Sequence, residues 1–293
     1  MRVLELFSGT GSVGKVCKKL EWDVVSVDMI LPADHRIDIM EFDYKQYPKD
    51  HFDIVWASPP CIAYSRLQNC WKGRMRNGKI FTKEDIDDMM NESDKLVLKS
   101  FEIIEYFNPK SWYLENPQTG RLKDREIMKD KPFYDVDYCM YSDWGYKKRT
   151  RIWTNKKEFN NKLCDGSGSC GNMITIPTDG AVHSGYKTPI KGDTRKLHTN
   201  CIGDGNKNKA VRKQHNKVLA NGYEIIDGKK VLCNTKEKRD KLRKYKQHKK
   251  LATDAGGGSQ KNQEKDLKYL GKGTNRIDRY RVPEDLIESL FQE

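Results

Sequence analysis

The chain has 293 residues, 36% of them hydrophobic, and its 55 Lys and Arg against 42 Asp and Glu give a formal charge of +13. That is enough apolar sequence for a sizeable α/β core in one large or two modest domains, and the basic surplus calls for a polyanionic partner. No apolar stretch approaches the ~18 residues of a membrane-spanning helix and the first strand starts at Arg2, so an intracellular protein is expected, cytoplasmic in a prokaryote or its virus and nuclear in a eukaryote, in which eight cysteines do not form a disulfide framework.

Arg2-Val-Leu-Glu-Leu-Phe7 reads as a buried strand, and Ser8-Gly9-Thr10-Gly11-Ser12-Val13-Gly14 follows it before a helix over 12–21. Strand, glycine turn and helix in one unit let the backbone approach a nucleotide cofactor closely, and Asp28, ending the next strand (23–28), falls about 20 residues after the first glycine, where an acid binds ribose hydroxyls. NAD and S-adenosylmethionine both fit that description. The apolar run 52–57 predicts a third strand, and Ser58-Pro59-Pro60-Cys61 follows it. Residues 62–80 carry Arg66, Lys72, Arg74, Arg76 and Lys79 without an acid, which suits a hinged flap that meets phosphates. Helical spacing of Met90, Leu96, Val97, Phe101, Ile104 and Phe107 predicts a helix over 91–107. Strands are expected near 111–115, 135–141 and 150–154, the first ending in Leu114-Glu115-Asn116-Pro117. The alternation predicts a doubly wound, mostly parallel sheet with the site at its carboxyl edge. There the Cys61 thiol and the Glu115 carboxyl, on stiff proline-bounded turns, make a nucleophile beside a proton donor.

Four blocks in order resemble the cytosine-5 DNA methyltransferase family: Phe7 to Gly14 the cofactor loop, Pro59-Pro60-Cys61 the nucleophile motif, Glu115-Asn116-Pro117 the acid motif and Lys147-Lys148-Arg149-Thr150-Arg151 the basic strand motif. The resemblance covers roughly residues 1–155 and a short closing segment. It implies a Rossmann-like methyltransferase fold and S-adenosylmethionine as cofactor, bound by Phe7, Ser8, Gly9, Thr10, Gly11, Gly14, Asp28, Met29, Asp38, Ile39 and Pro59. It also implies methyl transfer to carbon 5 of a cytosine flipped out of double-stranded DNA, at a cost of a few kcal/mol. Cys61 is then the nucleophile on carbon 6; Glu115 shares a proton with ring nitrogen 3, help worth about 100- to 10,000-fold. Asn116 braces the Cys61 loop, Arg151 meets cytosine oxygen 2, and Arg149 braces the loop or a phosphate. A cysteine titrates near pH 8.5 unless positive charge or dipoles lower that value, so the Cys61 thiol needs such help to ionise. Two departures stand out. Lys147 occupies a position where the family has Gln, and the Gly-Asn turn of the carboxyl-terminal motif is missing, its space expected to be filled by Arg279-Tyr280-Arg281-Val282-Pro283 and Glu284 to Phe291. The tRNA-directed relatives share Pro-Pro-Cys and Glu-Asn-Pro, so RNA is an alternative substrate. A nucleic-acid-binding relative without catalysis is another, against which intact Cys61, Glu115 and Arg151 argue.

After about Asn155 the sequence becomes rich in Gly, Asn and Lys. Residues 156–275 hold 27 Lys and Arg against 12 Asp and Glu, while the remainder holds 28 against 30. All excess positive charge therefore lies outside the catalytic half, as a phosphate-contacting surface requires. The expected organisation is a catalytic domain over 1–155, a basic target-recognition region over 156–265 and a segment over 266–293 that returns to the catalytic domain, with Ala255 to Gln260 as a flexible connector. A monomer is expected. Cys164-x5-Cys170 with His198-x2-Cys201 is a candidate zinc knot for a module poor in apolar residues, although its first spacing exceeds the usual two to four.

Overall fold

The structure, a computed structural model, describes residues 1–76, 78–177, 194–198, 223–226, 229–232 and 280–292. The chain divides into a first unit of Met1–Tyr141, Arg149–Leu163 and Tyr280–Glu293 and a second of Ser142–Lys148 and Cys164–Arg279.

The first unit is built on six strands: β1 (Arg2–Leu6), β2 (Asp23–Val27), β3 (Ile54–Ala57), β6 (Ser111–Pro117), β7 (Phe133–Asp137) and β8 (Arg149–Thr154), in the order β2-β1-β3-β6-β8-β7. The first four run parallel; β8 pairs antiparallel with both β6 and β7. Strands buried on both faces read as continuous apolar runs, which is how Val3, Leu4, Leu6, Ile54, Val55, Trp56 and Ala57 come to lie within 2% of full burial. Leu4, Leu6, Val55, Ala57, Leu114 and Trp153 share one cluster with Val97, Phe101, Ile104 and Phe107 of α2 (Lys83–Phe107). Val3, Trp56 and Tyr113 alternate to the other side. There α1 (Ser12–Lys19) and the carboxyl-terminal α3 (Glu284–Phe291) provide cover, with the Phe291 ring 6.3 Å from Trp56 and 5.8 Å from Tyr113, and the Tyr113 hydroxyl donating to the Leu290 carbonyl at 2.7 Å. Helices on both faces of a mostly parallel sheet make this a doubly wound, Rossmann-like α/β fold.

Two elements differ from their sequence expectation. Helix α2 begins at Lys83 rather than near 91, because Thr82 and Asp85 form a reciprocal capping box, Asp85 N to Thr82 Oγ1 at 3.2 Å and Thr82 N to Asp85 Oδ2 at 2.8 Å. The strand expected over 135–141 ends at Asp137 and tightens into a 3-10 turn over Tyr138–Met140. The segment 62–80 contains a 3-10 turn (Arg66–Trp71) and a short hairpin of β4 (Met75–Arg76) and β5 (Lys79–Ile80).

In the second unit the described strands are β9 (Met173–Pro177) and β10 (Thr194–His198), paired antiparallel, and β11 (Tyr223–Ile226) and β12 (Lys229–Leu232), paired likewise. The connector 255–260 and the lysine-rich run 236–250 lie outside the described residues. Among the described residues no helix is long and apolar enough to cross a membrane.

Candidate active site

The loop after β1 turns sharply: Phe7, Gly9 and Gly11 have φ of 55°, 54° and 65°. At Gly9 and Gly11 the missing Cβ makes that conformation cheap, whereas at Phe7 it costs about 1–3 kcal/mol and must be held by its surroundings. The holder is Asp28, whose carboxylate accepts from the Gly9 N–H at 2.9 Å, Ile30 N–H at 2.8 Å and Leu31 N–H at 2.7 Å. Glu5, one residue before the end of β1, accepts from the Val13 and Gly14 N–H groups at 3.1 and 3.0 Å, so a strand carboxylate caps α1. Burial pushes the Glu5 carboxyl up to about 7 against the pull of those two hydrogen bonds and of Lys15.

This cradle fits an elongated polar cofactor. Among the described residues a Cβ built on Gly11 would meet no atom within 4 Å, and the buried Ser8 hydroxyl has no hydrogen-bond partner, a group a ligand would satisfy. Met29 stands 52% exposed after Asp28, Ile39 is buried, and Asp38 accepts from the Met40 N–H at 2.9 Å. The closing segment reaches the same loop, the Val282 N–H donating to Ser12 Oγ at 3.2 Å and Lys19 pairing with Glu284.

At the carboxyl edge Asn116 Nδ2 donates to the Pro59 carbonyl at 3.0 Å and so ties the two tips together. Cys61 is two residues beyond that carbonyl and half-buried; Glu115, the neighbour of Asn116, is 6% exposed and accepts from the Tyr138 hydroxyl at 3.0 Å. Below Cys61 the chain is anchored by Tyr64, fully buried, whose hydroxyl donates to Asp94 of α2 at 2.9 Å and whose ionisation is pushed up by burial and by that carboxylate. The following hairpin is closed by Gly73 N to Phe81 O at 2.8 Å and exposes Met75 and Ile80, and the 3-10 turn before it exposes Leu67.

Arg149 and Arg151 each grip one aspartate of β7. Arg149 Nε and Nη2 reach Asp137 at 3.0 and 2.7 Å, and Arg151 Nε and Nη2 reach Asp135 at 2.7 and 2.9 Å. The Arg151 guanidinium also stacks 3.5 Å from the Phe133 ring centroid. The register Asn116↔Arg151 and Glu115↔Ile152 puts Arg151 on the strand face of Asn116, opposite that of Glu115. Neither the β7 aspartates nor Tyr138 carries a local sequence signal; antiparallel register brings the aspartates to β8, and the 3-10 turn after β7 brings Tyr138 to Glu115.

Of the candidate metal ligands, Cys201 lies outside the described residues. Cys164 Sγ and Cys170 Sγ lie 3.6 and 3.7 Å from His198 Nε2.

No family model matches the chain. A protein of Frog virus 3 (isolate Goorha), named a probable DNA (cytosine-5)-methyltransferase, is 44% identical over 204 residues, which are 67% of this chain and 92% of the relative. Among solved structures, a putative DNA modification methyltransferase encoded within an E. coli prophage aligns with 53% of this chain and 46% of its own at 14% identity and a TM-score of 0.35. The Entamoeba histolytica methyltransferase EhMeth aligns with 56% of this chain and 55% of its own at 15% identity and a TM-score of 0.38. The extent and identity of the viral match place this chain in the DNA (cytosine-5)-methyltransferase family.

Proposed function

We propose that the chain methylates carbon 5 of cytosine in double-stranded DNA through a covalent Cys61 adduct. The observation that carries this reading is the Asn116 to Pro59 hydrogen bond, which holds the thiol-bearing and carboxyl-bearing turns at one sheet edge. S-adenosylmethionine, held by Phe7, Ser8, Gly9, Thr10, Gly11, Gly14, Asp28, Met29, Asp38, Ile39 and Pro59, would supply an electrophilic methyl group. Asp28 spends three lone-pair directions on backbone N–H groups; a carboxylate offers about four, so one remains for a ribose hydroxyl.

Cytosine is a poor nucleophile at carbon 5. The Cys61 thiolate forms a bond to carbon 6, and the ring electron pair moves to carbon 5, which can then accept a methyl group. Loss of the carbon 5 proton and departure of the thiolate restore the aromatic ring. Glu115 shares a proton with ring nitrogen 3 and accepts from the exocyclic amine, with its other hydrogen bond from Tyr138 fixing the carboxyl plane. Arg151, on the strand face of Asn116 rather than that of Glu115, meets cytosine oxygen 2 through Nη1 from the other side of the carboxyl edge, since its Nε and Nη2 are committed to Asp135. Arg149, clamped on Asp137, braces the strand end. The basic loop after Cys61 contacts phosphates and its exposed apolar side chains fill the gap left by the flipped base. Residues 156–265 recognise the target sequence.

The test is methyl transfer from labelled S-adenosylmethionine to duplex DNA, with bisulfite sequencing to locate the product and an RNA arm alongside. Duplexes carrying 5-fluorocytosine are expected to trap wild-type protein covalently, because the fluorine blocks release. The Cys61→Ser variant is expected to bind cofactor normally but neither transfer nor trap. Label appearing in RNA alone, or activity in the serine variant, overturns the proposal.

A further inference from the structure

We propose that Tyr64, Asp94 and Arg125 form a positioning network that fixes the Cys61 turn relative to the Glu115 turn, an inference that rests on the methyl-transfer reading above. Tyr64 is fully buried three residues after Cys61, and Asp94 is 9% exposed on α2. The Tyr64 hydroxyl donates to Asp94 Oδ1 at 2.9 Å. The second oxygen, Asp94 Oδ2, accepts from Arg125 Nε at 2.8 Å and from Arg125 Nη2, which also donates to Asn91 Oδ1 at 2.8 Å. One carboxylate therefore holds the turn that carries the nucleophile with one oxygen and the loop that follows Glu115-Asn116-Pro117 with the other. The main chain of Tyr64 closes the ring: its N–H donates to the Cys61 carbonyl at 3.2 Å, and its own carbonyl accepts from the Arg121 N–H at 2.9 Å.

Gly120 permits this close approach. A Cβ there would stand 3.1 Å from the Pro117 carbonyl oxygen and 3.5 Å from that of Tyr64, so a side chain would push the loop away from the turn. Turn and loop also meet at the surface, where Arg66 reaches Asp124 at 3.1 Å and the Thr119 carbonyl at 3.2 Å. Those two charged side chains are 60% and 52% exposed, and water and salt screen such a pair until it constrains little. The Asp94–Arg125 pair is largely buried, and the cost of desolvating its charges offsets most of their attraction. Its effect therefore falls on geometry rather than on net stability. The reaction needs that geometry, because thiol and carboxyl must address carbon 6 and nitrogen 3 of one ring, and a displacement of about 1 Å caused far from the chemistry can cost about 100-fold in rate. Asn116 holds Pro59, two residues before Cys61, and Tyr64 holds the Cys61 carbonyl from the other side. The thiol-bearing turn is thus pinned at both ends.

The test compares full-length variants in single-turnover trapping on duplexes carrying 5-fluorocytosine, beside equilibrium binding of duplex and S-adenosylmethionine, at a temperature where melting shows each protein folded. Tyr64→Phe removes only the hydroxyl, and Arg125→Gln removes the guanidinium. Each is expected to slow adduct formation by about 10- to 100-fold while both affinities change by no more than about threefold. The double variant should be about as slow as the slower single one, because both losses pass through Asp94. Folded variants that trap at the wild-type rate overturn this proposal alone and leave the network a purely structural role. Equal losses of rate and affinity, or losses that multiply in the double variant, overturn it as well. A wild type that neither methylates nor traps duplex DNA overturns the methyl-transfer reading and this inference with it. The Arg125 side chain is 26% exposed, so Arg125→Gln carries the test where Tyr64→Phe fails to fold.

Discussion

Glu115 is legible in the sequence as a carboxyl between an apolar strand and an Asn-Pro turn, but its immediate partner is not. The Tyr138 hydroxyl reaches Glu115 Oε1 at 3.0 Å because β7 ends at Asp137 and the chain tightens at once into a 3-10 turn. Glu115→Gln keeps hydrogen-bonding capacity but delivers no proton, so turnover is expected to fall about 100- to 10,000-fold. Binding of duplex DNA and cofactor should change by no more than about threefold. Tyr138→Phe removes one hydrogen bond worth about 1 kcal/mol and should lower turnover by about fivefold to tenfold. Single-turnover rates beside equilibrium binding check both variants. Equal losses of rate and affinity in Glu115→Gln would make the residue a positioning group instead.

Among the elements, α1 shows most clearly how the sheet and a binding loop stabilise each other. Its N-cap is Gly11, which has no side chain to satisfy the first N–H groups, and Glu5 of β1 does so from the neighbouring strand. Burial holds the Glu5 pKa at about 7 instead of 4.5. The folded state therefore binds this proton more tightly than the unfolded chain does. Its contribution to stability is full below about pH 4.5, is lost progressively as the pH rises to about 7, and changes no further above that. The expected loss is about 3 kcal/mol. Glu5→Gln has no charge to desolvate, so its melting temperature relative to wild type should rise between pH 5 and pH 8 and then level off. Parallel melting profiles across that range would show that Glu5 ionises as an ordinary surface carboxylate.

At the scale of the whole molecule, charge and chemistry are segregated along the chain. Residues 156–275 carry 27 Lys and Arg against 12 Asp and Glu, whereas the remainder carries 28 against 30. Each phosphate contact contributes roughly 0.9 to the slope of log affinity against log salt on duplex DNA. Charge reversal at Lys241, Arg243, Lys244 and Lys246, which lie outside the described residues, should flatten that slope by up to about 3.6 and weaken all duplexes alike. Cofactor affinity should not change. An unchanged salt slope would show that this run is a solvated surface and would move the DNA contacts to the basic loop after Cys61.

The sequence by itself determined whatever is written locally. Apolar runs define β1 and β3, Gly9 and Gly11 mark the positive-φ turn, and the order of the Pro-Pro-Cys, Glu-Asn-Pro and Arg-Thr-Arg blocks marks the carboxyl edge. Each of these signals depends on neighbours only a few residues away. Even the start of α2 was written there, in Thr82 and Asp85, although the apolar spacing drew attention to its second half. Only the tertiary structure decided the pairings across long separations. Antiparallel register selected Asp135 and Asp137 for the two arginines, and the ends of β6 and β7 brought Tyr138 to Glu115. Hydrogen bonds and metal ligation act over about 2–4 Å and are indifferent to distance along the chain. Residues that meet in this way therefore need no common motif, and nothing local announces them.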